Sequence, residues 1–244
     1  MEFRIYKVVF GFGFHPTTKE YKVVKIIYYR ARPLRVRNLG GIFPPTSQVQ
    51  IFTLGSLTWR SLGNISYSIF QRSPRVLVGG RLHWPKRDGP GRSLISFDLA
   101  DEQFRVVPQP DCGGLDSCSF SLAVLGGCLS AAVRRNYGQL EIWVTKDYDV
   151  KESRTKEFSV GIHVPRGLRH DVAISLMASK FYYNSTIFRV LCLMKNGNIL
   201  LERNGRGLVA YNPISGTLKE LLFNGMPEWF EAVAHKGNLT LIDT

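Results

Sequence analysis

Four segments of the chain place a second large apolar residue seven positions after an aromatic one, a basic residue immediately behind it, and an aliphatic residue two further on. They are Phe14/Tyr21/Lys22/Val24, Phe52/Trp59/Arg60/Leu62, Phe97/Phe104/Arg105/Val107 and Tyr211/Leu218/Lys219/Leu221. A repeat of this kind constrains the fold more than composition does, because each copy must be one structural unit that buries a face against its neighbours. Turn-forming residues lie inside the copies, as in His15-Pro16-Thr17-Thr18-Lys19, Leu54-Gly55-Ser56, Asp98-Leu99-Ala100-Asp101 and Asn212-Pro213-Ile214-Ser215-Gly216. Pro and Gly set φ, and Asn and Asp bond back to the local backbone, so each copy reads as a hairpin. Its aromatics are expected to pack between sheets and not to form a ligand cage.

A second element recurs ahead of the hairpins: Gly, any residue, Leu or Ile, then often a large apolar residue. It appears at Gly80-Arg81-Leu82-His83-Trp84, Gly127-Cys128-Leu129-Ser130-Ala131, Gly197-Asn198-Ile199-Leu200-Leu201 and Gly237-Asn238-Leu239-Thr240-Leu241. The alternation is that of a strand entered from a tight glycine turn. From this glycine to the next aromatic anchor is 17, 16 or 14 residues, counting Trp143 as the anchor of the middle copy. One unit therefore reads as glycine turn, strand, loop, strand, turn, strand.

Anchors at residues 14, 52, 97, 143 and 211 lie 38, 45, 46 and 68 residues apart. Kelch and WD-type propeller blades repeat at roughly 40 to 50 residues, and helical periodicity is absent. The expected fold is an all-β, β-propeller-like (kelch-like) array of antiparallel sheets, a single domain over residues 1–244. The ends fall out of phase: the first hairpin has no preceding Gly-x-Leu strand, and the strand at Gly237 stops before an aromatic hairpin. The array is thus expected to be incomplete at its N-terminal side unless the termini combine to close a blade.

A chain of 244 residues with 44% hydrophobic residues can bury a sizeable core. No apolar run reaches the roughly 18 residues of a membrane span, and the start, Met1-Glu2-Phe3-Arg4, is charged where a secretory signal is apolar. These features point to cytoplasm or nucleus and to no membrane partner. Cys112, Cys118, Cys128 and Cys192 lack the spacing of zinc sites and read as free thiols, so no metal or other cofactor is expected.

The stretch from Gly11 to Ile26, GFGFHPTTKEYKVVKI, closely resembles the "GFGYD-x-x-T-x-DYKVV-x-I" signature of the F-box associated domain of plant F-box proteins, a family with F-box/kelch-type members. Three later stretches carry the likeness in the same order: Val49-Gln50-Ile51-Phe52-Thr53-Leu54 leading to Trp59-Arg60, Gly80 to Trp84 leading to Ile95-Ser96-Phe97-Asp98-Leu99, and Leu140-Glu141-Ile142-Trp143-Val144 leading to Lys151-Glu152-Ser153. His15 stands where that family usually has Asp, and Arg154 where a Trp is common. The resemblance implies a non-catalytic module that selects proteins for ubiquitination by an SCF ligase. No Leu-Pro-rich helical module precedes Phe12, so contact with the SCF adaptor is expected only through an F-box that this chain lacks.

Motifs for chemistry are weak. Gly11-x-Gly13 followed by Pro16 fails the dinucleotide fingerprint, no Gly-Lys-Ser/Thr or Gly-x-Ser-x-Gly occurs, and the five histidines lie in separate units. Glu228-Trp229-Phe230-Glu231 joins acids to aromatics and reads as an apolar wedge opening the final strand in preference to a sugar platform. No enzyme activity is expected.

The net charge of +13 favours an acidic partner. Basic residues cluster between strands, where binding surfaces sit. Arg30, Arg32, Arg35, Arg37, Lys86, Arg87, Arg92, Arg166, Arg169 and His170 are the candidate partner-binding residues, in the stretches 30–47, 85–92 and 163–170. Arginine forks suit carboxylate and phosphate groups, so the expected partner is an acidic or phosphorylated protein segment. The alternative is a basic β-propeller-like domain that binds nucleic acid independently of ubiquitin, which requires these residues to converge on one face beside exposed aromatics.

Overall fold

A computed structural model describes residues 3–31, 46–69, 75–86, 93–107, 119–134, 139–147, 154–161, 188–203 and 205–234. Its elements are strands β1 (Phe3–His15), β2 (Glu20–Ala31), β3 (Thr46–Thr53), β4 (Arg60–Gly63), β5 (Val76–Val78), β6 (Arg81–Pro85), β7 (Leu94–Asp98), β8 (Phe104–Val107), β9 (Ser119–Leu125), β10 (Cys128–Arg134), β11 (Gln139–Thr145), β12 (Arg154–Gly161), β13 (Phe188–Leu193), β14 (Ile199–Arg203), β15 (Gly207–Asn212) and β16 (Thr217–Leu221). They form four antiparallel sheets of four consecutive strands each: β1–β4, β5–β8, β9–β12 and β13–β16. The fold is all-β, as the repeat requires.

The seven-residue spacing is a cross-strand pair. Phe14 faces Tyr21, Phe97 faces Phe104 and Tyr211 faces Leu218 in register, and Phe52 and Trp59 lie one step beyond the paired Ile51 and Arg60. Three of the enclosed turns share one conformation. The N–H of Lys19, Glu102 and Gly216 each donates to the carbonyl four residues back, and all three residues have positive φ, of 59, 58 and 69°. The first turn residue caps the loop: His15 Nδ1 accepts from the Thr18 N–H, Asp98 Oδ1 from Ala100 and Asn212 Oδ1 from Ile214. His15 thereby makes the bond that Asp and Asn make elsewhere.

The glycine strands at Gly80, Gly127 and Gly197 are the second strands β6, β10 and β14. The unit has one strand more than the three expected, because β5, β9 and β13 precede the glycine turns and pair across them. The phase also differs. The Phe14 and Phe52 copies open and close the same sheet, so 38 residues is a spacing within one unit, and the unit-to-unit intervals are 45, 46 and 68. The strand expected at Gly237 lies outside the described residues.

The chain divides into two compact units, Met1–Ser117 with Asp147–Glu152, and Cys118–Lys146 with Ser153–Thr244. In the first, the sheets β1–β4 and β5–β8 bury Val9, Val24, Ile26, Tyr28, Val49 and Ile51 against Leu82, Trp84, Phe97 and Leu99. They approach so closely that a Cβ on Gly11 would stand 2.7 Å from Trp84 Cζ2 and 2.8 Å from Leu82 Cδ1. In the second, Leu140, Ile142, Val160, Ile199, Leu201 and Tyr211 belong to one core, and the Tyr211 hydroxyl donates to the Ser159 carbonyl at 3.2 Å.

Packing of the anchors follows the expectation only in part. Phe97 and Tyr211 are buried, but Tyr21 and Trp59 are exposed by 41 and 43%, on the face of the first sheet turned away from Trp84. Trp229 is likewise exposed, at 62%, in a segment that forms no strand, so it is no apolar wedge. It lies beneath the Arg206 guanidinium, 4.0 Å from its ring centroid, while Phe230 donates its N–H to the Gly205 carbonyl. Cys128 and Cys192 are free and half-buried, and burial raises the Cys192 thiol above its ordinary pKa.

Candidate partner-binding site

Of the ten candidate residues, Arg30 and Lys86 are described, while Arg32, Arg35, Arg37, Arg87, Arg92, Arg166, Arg169 and His170 lie outside the described residues. Both described residues belong to the first unit, where β2 and β6 end. A scaffold of aromatic and buried polar groups joins them.

Arg30 is the penultimate residue of β2 and faces Arg4 of β1 directly in the register. Like charges opposite each other in a sheet repel, and among the described residues no carboxylate pairs with either. The Arg30 guanidinium instead lies 5.1 Å from the centroid of Tyr6, whose ring is 6.2 Å from that of Tyr28. Tyr6 falls where the β1–β2 register shifts between Ile5 and Lys7, a bulge that re-aims side chains at this end of the strand.

Beneath this layer Lys7, 7% exposed, donates from Nζ to Ser68 Oγ at 2.8 Å and to the Ile69 carbonyl at 2.6 Å, 4.0 Å from the Tyr28 centroid. The Tyr28 hydroxyl donates to the Tyr67 carbonyl and accepts from the Ile69 N–H. Ile69 bridges Lys86, whose ammonium stands 5.9 Å from the Tyr67 centroid and whose N–H donates to the Ser93 carbonyl at 2.7 Å. Arg30 and Lys86 therefore stand at one end of the unit over the Tyr6 and Tyr67 rings, with Arg4 opposite Arg30 and Lys7 bonded beneath them.

Sequence reasoning singled out Arg30 and Lys86 but not Arg4, Tyr6, Lys7 and Tyr67, which the structure places around them. Lys7 was open to notice, since Lys7, Val9, Gly11, Gly13 and His15 fall on the buried parity of β1. The pairing of Arg4 with Arg30 depends on the hairpin register over its whole length and on a bulge, which no local motif announces.

The opposite end of the same sheets is built differently. There Lys22 Nζ, with a side chain 5% exposed, lies 3.0 Å from Glu102 and 3.1 Å from Glu20 and donates to the Leu99 carbonyl at 2.8 Å. Arg60 holds both oxygens of Glu102, at 2.7 and 2.9 Å. Arg81 pairs with Asp98 at 2.8 Å, and Arg105 with Asp101. Burial works against the Glu102 charge, yet the bonds from Arg60 and Lys22 outweigh it and hold the carboxyl below its ordinary pKa. Asp98 is lowered in the same way, burial being overcome by Arg81 and the Ala100 N–H.

The family model described as "F-box associated beta propeller domain" matches residues 2–235. The chain belongs to the F-box associated β-propeller family. It is 48% identical over 251 residues to "F-box protein At3g07870" of Arabidopsis thaliana, a match that covers 98% of this chain and 60% of that protein. It is 26% identical to "F-box protein CPR1" of the same plant, over 96% of this chain and 56% of the relative, and 23% identical to "F-box/kelch-repeat protein At3g23880", over 63 and 40%. The chain thus spans about 60% of the length of the first of these relatives and less of the others. Among the described residues no helix is long and apolar enough to cross a membrane, and no group of three or more His, Cys, Asp or Glu side chains could hold a metal ion.

Proposed function

We propose that this F-box associated domain is a non-catalytic recognition module that captures an acidic or phosphorylated protein segment for ubiquitination, the SCF adaptor being contacted through an F-box carried elsewhere. The observation that carries the reading is the directly opposed Arg4 and Arg30, Arg30 lying over Tyr6 and neither having a carboxylate partner among the described residues. Two adjacent guanidinium groups repel each other until an anion lies between them, and their planar forks suit a carboxylate or phosphate. Lys86 over Tyr67 extends the same cationic surface. Arg32, Arg35, Arg37, Arg87, Arg92, Arg166, Arg169 and His170 are proposed to enlarge it.

A peptide array of acidic, phosphorylated and neutral sequences, probed with the wild-type chain and with Arg4→Glu/Arg30→Glu, tests the reading. Retention of acidic or phosphorylated spots by the wild type, and its loss in the double variant, is the expected result. Equal retention by both proteins overturns it. Binding of generic RNA with a steep salt dependence, and of no peptide, favours the nucleic-acid alternative.

A further inference from the structure

The first unit contains a cavity of about 350 Å³ between the edge strands β4 and β8, floored by Val49, Leu62, Ile65 and Phe104. That is the lower end of the ligand-site range, room for one side chain and a little backbone. Its wall carries Ser66, Tyr67, Asp101, Glu102 and Gln103. We infer that this cavity is a specificity subsite for a carboxamide side chain, glutamine above all, of a bound protein segment.

The lining selects a neutral ligand. Asp101 is engaged by both guanidinium nitrogens of Arg105 and by the Gln103 N–H, while Glu102 is engaged by Arg60 and Lys22. A cationic side chain would have to displace one of these arginines. An anionic one would be desolvated beside two carboxylates, with no cation among the lining residues to offset the cost.

What stays uncommitted is neutral hydrogen-bonding capacity. Among the described residues the Tyr67 hydroxyl, the Ser66 hydroxyl and the Gln103 amide have no partner. Tyr67 is half-buried, and burial pushes its pKa up to about 12, so its O–H remains a donor. A carboxamide needs one donor for its oxygen and acceptors for its two N–H groups. Tyr67 supplies the first, and the oxygens of Ser66 and Gln103 supply the others. The methylenes of a glutamine match the apolar floor, where Phe104 meets Tyr67 edge to face with centroids 6.2 Å apart.

The subsite rests on the reading of the domain as a protein-recognition module. Tyr67 links the two, since its ring underlies Lys86 at the cationic end. An acidic or phosphorylated residue on Arg4 and Arg30 and a glutamine in the cavity would then be read together.

The test is a titration of the isotopically labelled full chain with N-acetyl-glutamine methylamide, following the backbone amides of Ser66, Tyr67 and Gln103 by NMR. The expected result is saturable shifts at these residues, with the glutamate and lysine analogues binding at least tenfold more weakly. Tyr67→Phe keeps the ring and should weaken glutamine binding by about three- to tenfold, the loss of one neutral hydrogen bond. Should that variant fail to fold, Gln103→Ala replaces it with the same expectation. No saturable shift, equal binding of a charged analogue, or unchanged binding by the folded variants overturns the subsite. Arg4→Glu/Arg30→Glu should leave the glutamine titration unchanged. If that double variant loses anionic peptides while the wild type ignores glutamine, the recognition reading stands and the subsite falls.

Discussion

The two ends of the first unit carry the same kinds of side chain to opposite purposes. At the hairpin end four cations of the paired strands have carboxylates: Lys22 has Glu20 and Glu102, Arg60 has Glu102, Arg81 has Asp98 and Arg105 has Asp101. At the other end Arg30 and Lys86 lie over tyrosine rings, and Arg4 faces Arg30. The first arrangement spends its charge inside the protein, on the closure of two sheets. The second leaves its charge without a carboxylate among the described residues, as the proposed partner-binding role requires. Net charge alone could not separate these roles, because both ends contribute basic residues to it. Their surroundings separate them.

The sharpest test of the contrast is Glu102→Gln. It strips Lys22, almost fully buried, of its nearest carboxylate and frees Arg60. Removing one partner of a fully buried pair costs about 3 to 5 kcal/mol. Here Glu20 and the Leu99 carbonyl remain to Lys22, so a loss of about 2 kcal/mol is expected in urea unfolding. A change below about 0.5 kcal/mol would show the hairpin-end network to be ornamental and remove the distinction between the ends.

Acid should act on the same end, by a smaller amount at first. The Asp98, Asp101 and Glu102 carboxyls are held below their ordinary pKa values, Asp101 chiefly by the hydrogen bonds from Arg105. A carboxyl depressed in the folded state contributes stability that is complete above its unfolded pKa, near 4, and is lost as pH falls through the folded value. Unfolding free energy should therefore be flat from neutrality to about pH 5 and fall steadily below about pH 4. Glu102→Gln should flatten that descent. Arg30→Ala should leave it as steep as in the wild type, and an equal effect of both variants would erase the contrast.

A third test exploits a cost that the hairpin end bears. Lys19 and Glu102 occupy left-handed backbone at φ of 59 and 58°, where the equivalent turn of the second unit has Gly216. A side chain there costs roughly 1 kcal/mol. Lys19 takes no part in the ion network among the described residues, so Lys19→Gly should raise stability by about 0.5 to 1 kcal/mol, reduced by the extra freedom glycine gives the unfolded chain. Glu102→Gly relieves the same strain but dissolves the pairs with Lys22 and Arg60, and should be destabilising. Calorimetry of the two variants, expected to move in opposite directions, separates strain from ion pairing.

Much of this scaffold was legible in the chain. The seven-residue spacing gave the hairpins because an aromatic pair facing across two strands must be separated by the length of its turn, and the glycine turns marked β6, β10 and β14. The first strands β5, β9 and β13 were silent, since Val76-Leu77-Val78 or Phe188-Arg189-Val190 carries no punctuation of its own. Missing them put the Phe14 and Phe52 copies in separate units when they belong to one sheet. Of the site, sequence could offer only clusters of basic residues. Whether Arg105 or Arg30 is neutralised depends on Asp101, four residues away across a turn, and on Arg4, 26 positions away across a bulged ladder. Those are facts of register, and periodicity does not record them.

The smallest stability effect is expected where function is proposed. Arg30→Ala removes a guanidinium stacked on Tyr6, an exposed cation–π contact worth about 0.5 to 1 kcal/mol, and at the same time relieves the repulsion from Arg4 across the ladder. The two terms oppose each other, so the unfolding free energy should change by less than about 0.5 kcal/mol. Arg4→Ala, which loses no described aromatic contact and relieves the same repulsion, should be neutral or slightly stabilising. A pair whose members can be deleted singly without harm, or with gain, is not there for the fold. If Arg30→Ala instead cost as much as Glu102→Gln, the guanidinium would be a structural part of this end, and the charge would no longer be free for a partner.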